Sequence, residues 1–127
     1  MKLHYGGELE FGDFIAVSCG NCMDFGFYAG TGRGTLQYYP FRGPINAYEK
    51  YQEWLALPEE QRGRYWYAKQ YKKGFSSKCL YKSYINAVHR SRVIKLINPE
   101  TIFTDAEDYN NYVRSKEVLI KIGMIKN

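Results

Sequence analysis

A change of hydrophobic period after Pro40 constrains the fold of this 127-residue chain more than any other feature. From Gly7 to Pro40 glycines are dense and apolar residues alternate with other residues, which predicts short strands joined by tight turns. After Pro40 apolar residues recur about every three to four positions, which predicts helices. We therefore expect an α+β protein, and a chain of this length has room for one core.

The order of these patterns predicts one domain over residues 1–127. Its expected parts are strands in about 9–40, a helical insertion in about 46–73, strands in about 78–97 (around Lys78–Ile85 and Arg90–Ile97), and a C-terminal helix in about 105–122. Five strands in this order predict a small SH3-like five-stranded barrel or a bent antiparallel sheet, with an inserted helical hairpin and a C-terminal helix packed across it.

Local signals predict where the helices begin and end. Asn46 is expected to cap the first helix and Pro58 to close it. The second predicted helix runs from Pro58 to Gly74. Thr104 with Glu107 matches a capping box at the start of the C-terminal helix.

The positive charge is concentrated in the middle of the chain. Between Gln61 and Pro99 there are ten Lys or Arg residues and no Asp or Glu, although the whole chain carries only +5. A segment of one sign predicts an anionic partner, and an aromatic content of 17% predicts that the partner also has flat rings.

Cations and aromatic rings are most closely interleaved from Arg62 to Lys73. Cationic side chains bind phosphate oxygens and aromatic rings stack on bases, which is the combination a nucleotide or single-strand site requires. The glycine-rich turn around Arg33 adds backbone N–H groups that can cradle an anion. The residues expected to bind the ligand are Arg33, Arg62, Arg64, Tyr65, Trp66, Tyr67, Lys69, Tyr71, Lys72, Lys73, Arg90 and Arg92. The alternative is that these aromatic residues pack onto the sheet and the cations only solvate the outer face.

These features predict a non-catalytic protein, without a cofactor, that captures a phosphate-bearing, base-containing ligand. The ligand is either a nucleotide-type signal or a nucleic acid. The alternative is a protein-interaction module or inhibitor of a host protein that docks through the same basic aromatic face, because Tyr, Trp and Arg are also typical of protein hot spots. The sequence leaves the oligomeric state open.

Catalysis and metal binding are not indicated by any residue pattern. Cys19 and Cys22 have the C-x₂-C spacing of zinc and redox sites, but only Cys79, His89 and His4 are available to complete a zinc site. Because these do not form a second short-spaced pair, buried thiols are favoured and no metal is expected. A hydrolase or transferase that pairs Cys79 with His89 is a third reading.

The location expected from the sequence is the cytoplasm. No run approaches the roughly 18 to 20 apolar residues that span a bilayer, so no membrane partner is expected. The N-terminus lacks the apolar region of a secretory signal, and three cysteines are an odd number, which predicts reduced thiols.

Two resemblances add to this interpretation. The stretches Gly12–Val17, Gly26–Gly30 and Gly32–Thr35 are similar to the opening strands of SH3-like barrels, including the KOW type of ribosomal and transcription proteins. The small size and the richness in Lys, Tyr and Asn resemble uncharacterised accessory proteins of tailed bacteriophages. Several of those proteins are non-enzymatic inhibitors or sponges of host defence, so this resemblance implies an anti-defence role in the host cytoplasm.

Overall fold

The computed structural model describes residues 8–18, 20–21, 23–32, 35–89, 93–96 and 98–126, and at positions 81–84, 88 and 89 it describes the backbone alone. The elements within these ranges are β1 (Phe14–Ser18), β2 (Met23–Thr31), β3 (Thr35–Pro40), α1 (Gly43–Ala56), α2 (Glu59–Arg62), α3 (Ala68–Tyr71), α4 (Ser77–Tyr84), β4 (Asn86–His89), β5 (Val93–Lys95), a 3₁₀ turn (Pro99–Thr101) and α5 (Ala106–Lys121). The predicted α+β class and the C-terminal helix are confirmed.

The five strands form one antiparallel sheet in the order β4-β3-β2-β1-β5. β4 and β5 lie at opposite edges, yet only the three residues 90–92 separate His89 from Val93. A flat sheet of five strands would hold its edges about 19 Å apart, whereas this connection spans at most about 15 Å. The sheet is therefore expected to curl. The predicted five-stranded antiparallel sheet is confirmed, and its closure into a barrel is not. Among the described residues no ladder joins β4 to β5, so the sheet is open.

Both faces of the sheet are buried. Phe14 and Phe27, which are paired across β1 and β2, pack in the main core together with Leu80 of α4 and Tyr112 of α5. The opposite face carries a second cluster formed by Leu9, Ile15, Val17, Tyr28, Leu36, Tyr38 and Val93. Because the residues of this second cluster come from the strands and from the segment before β1, the curled sheet itself encloses them.

Helix α1 differs from its prediction at one end. It begins at Gly43, with Pro44 in its first turn, so Asn46 lies inside the helix instead of capping it. The fixed φ of proline suits the first helical turn, where no N–H is needed. At the other end, Leu57 before Pro58 is extended, as predicted.

The second predicted helix, from Pro58 to Gly74, is divided into the short helices α2 and α3. Gly63 ends α2, and residues 63–67 form turns between the two helices. Gly74 has a φ of +97° and ends this segment as predicted.

The strand predicted around Lys78–Ile85 is wrong, because Ser77–Tyr84 forms α4. Cys79 and Leu80 are adjacent and both are buried, Leu80 in the main core and Cys79 beside Trp54. Successive side chains of a strand point to opposite faces, whereas a helix between two apolar clusters can bury two neighbours. The tyrosines and isoleucine of this stretch favour strands only as a local tendency.

Hydrogen bonds hold helix α5 at its start and against α1. Its cap is Asp105 and not Thr104, since Asp105 Oδ1 accepts the N–H of Glu107 at 2.9 Å. Ser115 is fully buried, and its Oγ accepts the N–H of Ile45 in α1 at 3.1 Å.

Among the described residues, no helix combines the length and the apolar character needed to cross a bilayer.

Candidate functional site

Four lysines from two neighbouring helical segments line one cavity of about 540 Å³. Three of them come from α3 and the turn after it, and the fourth from the first turn of α4. The cavity is lined by Lys69, Gln70, Lys72, Lys73, Ser76 and Lys78. We call it the lysine cavity.

The packing of α3 and α4 explains why these lysines are exposed. Ala68 and Tyr71 of α3 are buried in a small cluster with Trp54. The lysines on the other side of this one-turn helix therefore face solvent. In α4 the two residues that follow Lys78 are buried, and Lys78 itself is exposed.

The lysine cavity concentrates positive charge. No Asp or Glu of the described residues lines it, and the ion pairs found among them involve other side chains, namely Arg42–Asp108, Lys95–Asp13 and Arg114–Glu49. Helix α4 begins at Ser77, beside the cavity. The N–H groups of a first helical turn add partial positive charge. This environment favours a ligand with several negative charges, such as a phosphate chain.

A larger cavity of about 810 Å³ adjoins the lysine cavity, and Gln70 and Lys78 line both. Its other walls are mainly apolar and consist of Phe11, Ala29, Tyr39, Ser77 and Met124. Phe11 is 45% exposed. The Oε1 of Gln70 is buried and has no hydrogen-bond partner among the described residues. We call this the apolar cavity.

Sequence reasoning missed most of the apolar cavity. Phe11, Tyr39 and Met124 are far apart in the chain, and no local motif marks them as members of one site. Gln70 and Lys78 lie within the segment that lacks acidic residues, and this was the only signal for them. The cavity exists because the fold brings Phe11 and Met124, which are 113 positions apart, to the same cavity wall.

The aromatic residues predicted to stack on bases form a row from the core to the surface. Tyr71 is 5% exposed and its ring centroid lies 5.2 Å from that of Trp54. The half-buried ring of Tyr67 stacks on Tyr71 at 5.6 Å, and Trp66 lies 4.2 Å from Tyr67. Tyr65 and Trp66 are exposed, by 44% and 76%. The prediction for Tyr71 is therefore corrected: it is a core residue, because α3 must bury one side against α1.

Arg62 also has a structural role. Its Nε donates to the carbonyl of Leu57 at 3.0 Å and its Nη2 to that of Leu55 at 2.7 Å, while its guanidinium lies 5.6 Å from the Trp54 ring. These carbonyls belong to the C-terminal end of α1, where helical partners are lacking. Two of the five N–H donors of Arg62 are therefore used within the protein, and the side chain is partly buried. Its role as a phosphate ligand stays a prediction. Arg64, in contrast, is exposed.

Replacing Arg62 with glutamine is expected to lower the free energy of unfolding by about 1 to 2 kcal/mol, because two carbonyls lose a cationic donor. The matched control is Arg64→Gln, which removes the same charge from an exposed side chain and should change the free energy by less than about 0.5 kcal/mol. Urea unfolding of both variants measures the difference. Equal effects would contradict the role of Arg62 at the end of α1.

The remaining predicted residues are not all within the described ranges. Arg33, Arg90 and Arg92 lie outside them, as do His4, Cys19 and Cys22, and the side chain of His89 is not described. Cys79 is 2% exposed, and its Sγ lies 3.8 Å from Ser76 Oγ. Among the described residues no group of three or more His, Cys, Asp and Glu side chains is placed to hold a metal ion. The expected absence of a metal site stays a prediction.

Comparisons of this chain with protein-family models, with curated proteins and with solved structures found no match.

Proposed function

We propose that this chain is a non-catalytic binding protein for a phosphate-bearing, base-containing ligand, with the phosphates held in the lysine cavity. The observation that supports the proposal is the convergence of four lysines on one cavity that no described carboxylate lines. Ammonium groups make charge-assisted hydrogen bonds to phosphate oxygens, and each carries three donors. Four of them balance the charge of a nucleoside triphosphate.

The size of the two cavities favours a small nucleotide over a nucleic-acid strand. Volumes of about 540 and 810 Å³ are in the range of small-molecule pockets. A strand instead needs a groove that follows many phosphates. The proposal extends to the capture of a nucleotide signal, which is the role that the resemblance to phage anti-defence proteins implies. A protein in this role holds its ligand and does not react with it.

We also propose that the curled sheet is a variant of the SH3-like small barrel. The support comes from the strand order, in which β5 returns to pair with β1, and from the short connection between the two edge strands. The second apolar cluster, enclosed by the strands, is what the interior of a small barrel would contain.

Titrations with ATP and with a single DNA strand of about 20 nucleotides test the proposed function by calorimetry. We expect ATP to bind at about 50 mM salt and to lose about tenfold or less in affinity at about 200 mM, since few phosphates are neutralised. A single strand that contacted six to ten phosphates would lose about 300- to 16,000-fold over the same range. If neither probe binds at low salt, the proposed function is wrong.

The exposed ring of Trp66 favours a second candidate function, docking to an acidic face of a host protein. Its 76% exposure is high for a tryptophan, and tryptophan is enriched among the residues that dominate protein interfaces. The lysines that follow it, Lys69 and Lys72, would then contact acidic side chains of the partner. In this case neither ATP nor the single strand should bind at low salt.

A further inference from the structure

We propose that the apolar cavity receives the base of the ligand and that Gln70 selects a base with an exocyclic amine. The inference rests on the proposed function, because it takes the phosphates to lie in the lysine cavity. It goes further by naming the class of base and the residues that contact it.

The two cavities are placed for one ligand. Gln70 and Lys78 belong to the walls of both, so a ligand whose phosphates contact Lys78 can extend past Gln70 into the apolar cavity. A nucleotide has this division, with a charged chain at one end and a flat ring at the other. An inorganic polyphosphate would occupy only the lysine cavity.

The walls of the apolar cavity suit a flat ring. Its volume of about 810 Å³ accommodates a small-molecule ligand, and an aromatic ring and a thioether, those of Phe11 and Met124, are among its lining groups. Phe11 is 45% exposed, which leaves part of its ring available to a stacking partner. Thioether sulfur also makes favourable contacts with aromatic rings. A base bound here would cover apolar surface that water now contacts.

Gln70 supplies the polar contact. Its Oε1 is buried and unpaired among the described residues, although buried acceptors in folded proteins are nearly always hydrogen-bonded. A ligand that donates a hydrogen bond to this oxygen would remove the cost of leaving it unpaired. The amide of glutamine pairs with the amine and the adjacent ring nitrogen of adenine. We therefore expect adenine to be preferred over a purine that lacks the amine.

Calorimetric titration of the full chain with three probes tests the inference. The probes are ATP, purine riboside 5′-triphosphate, which lacks the amine, and inorganic tripolyphosphate. We expect ATP to bind about tenfold or more tightly than either of the others, because only ATP makes both contacts. Equal affinities for ATP and purine riboside triphosphate, both tighter than tripolyphosphate, would overturn the inference while the proposed function stands. Failure of all three probes to bind would overturn the proposed function itself.

Variants at the cavity wall provide the second readout. Gln70→Met should abolish the preference for ATP over purine riboside triphosphate. Phe11→Ala should weaken ATP binding about five- to tenfold and leave tripolyphosphate unchanged. The control is Tyr109→Ala, which removes an exposed ring outside both cavities and should alter neither affinity. Loss of ATP affinity in Trp66→Ala but not in Phe11→Ala would place the base on Trp66 and overturn the inference.

Discussion

Replacing Lys69, Lys72 and Lys73 together with glutamine should weaken the binding of ATP and of tripolyphosphate alike, by about 30- to 100-fold. Each lysine is exposed, so a contact to phosphate contributes at most about 1 kcal/mol, and three contacts contribute about 2 to 3 kcal/mol. Glutamine has nearly the helix propensity of lysine, so α3 should persist. Calorimetry gives the affinities, and circular dichroism checks that the variant is folded.

The control for this variant removes the same charge elsewhere. Lys50, Lys116 and Lys126 are exposed and do not line the lysine cavity. Their joint replacement with glutamine should lower the affinity for tripolyphosphate less than about threefold, because exposed charges that do not contact the ligand are weakened by solvent and salt. If both triple variants lost affinity equally, the overall charge of the protein and not a site would explain binding.

The fold was predictable from the sequence where the signals are local. The alternation before Pro40 indicates strands because adjacent strand residues face opposite sides of the sheet, as Phe14 and Ile15 do in β1. The end of α1 follows from Pro58, which restricts the residue before it. The end of helix α5 follows from Gly123, which has a φ of +79°, although the helix is capped by Asp105, one residue after the predicted Thr104.

The largest failure, the strand predicted where α4 forms, occurred where contacts with distant residues determine the structure. The residues of α4 favour strands locally, but a helix is the form in which Cys79 and Leu80 can be buried in two different clusters. Trp66 and Tyr71 belong to the same aromatic run, yet one is 76% exposed and the other 5%. The side of a one-turn helix that faces the core depends on Trp54, which is contributed by another helix.

The candidate site also has one part that local sequence predicts and one part that contacts between distant residues form. The segment without acidic residues identifies the lysines, because the absence of carboxylates can be read directly from the sequence. The apolar cavity cannot be found in this way, since Phe11 and Met124 meet only after the sheet and α5 are in place. The lysine cavity could therefore be predicted from one segment of the sequence. The apolar cavity, which would select the base, forms only when distant segments pack together.

Replacing Gly26 with alanine should lower the free energy of unfolding by about 3 kcal/mol or more. Gly26 lies within β2, opposite Ile15 of β1 and Pro40 of β3. A methyl group there would lie 2.3 Å from the carbonyl oxygen of Tyr39 and 2.7 Å from Cδ2 of Tyr38. The first atom belongs to the backbone of the neighbouring strand, and the second to a ring that is 2% exposed, so neither can move aside.

The matched control is Gly63→Ala, because Gly63 has a φ of −68° and an added methyl group would meet no atom within 4 Å. It should leave stability unchanged or raise it by up to about 1 kcal/mol, since alanine restricts the unfolded chain. Urea unfolding compares the two variants, and similar midpoints would contradict the close packing of β2 on β3.

The Gly26→Ala substitution should also affect the apolar cavity. The added methyl group would press against Tyr39, and Tyr39 lines this cavity. The Gly26→Ala protein that remains folded should therefore bind tripolyphosphate normally and ATP more weakly.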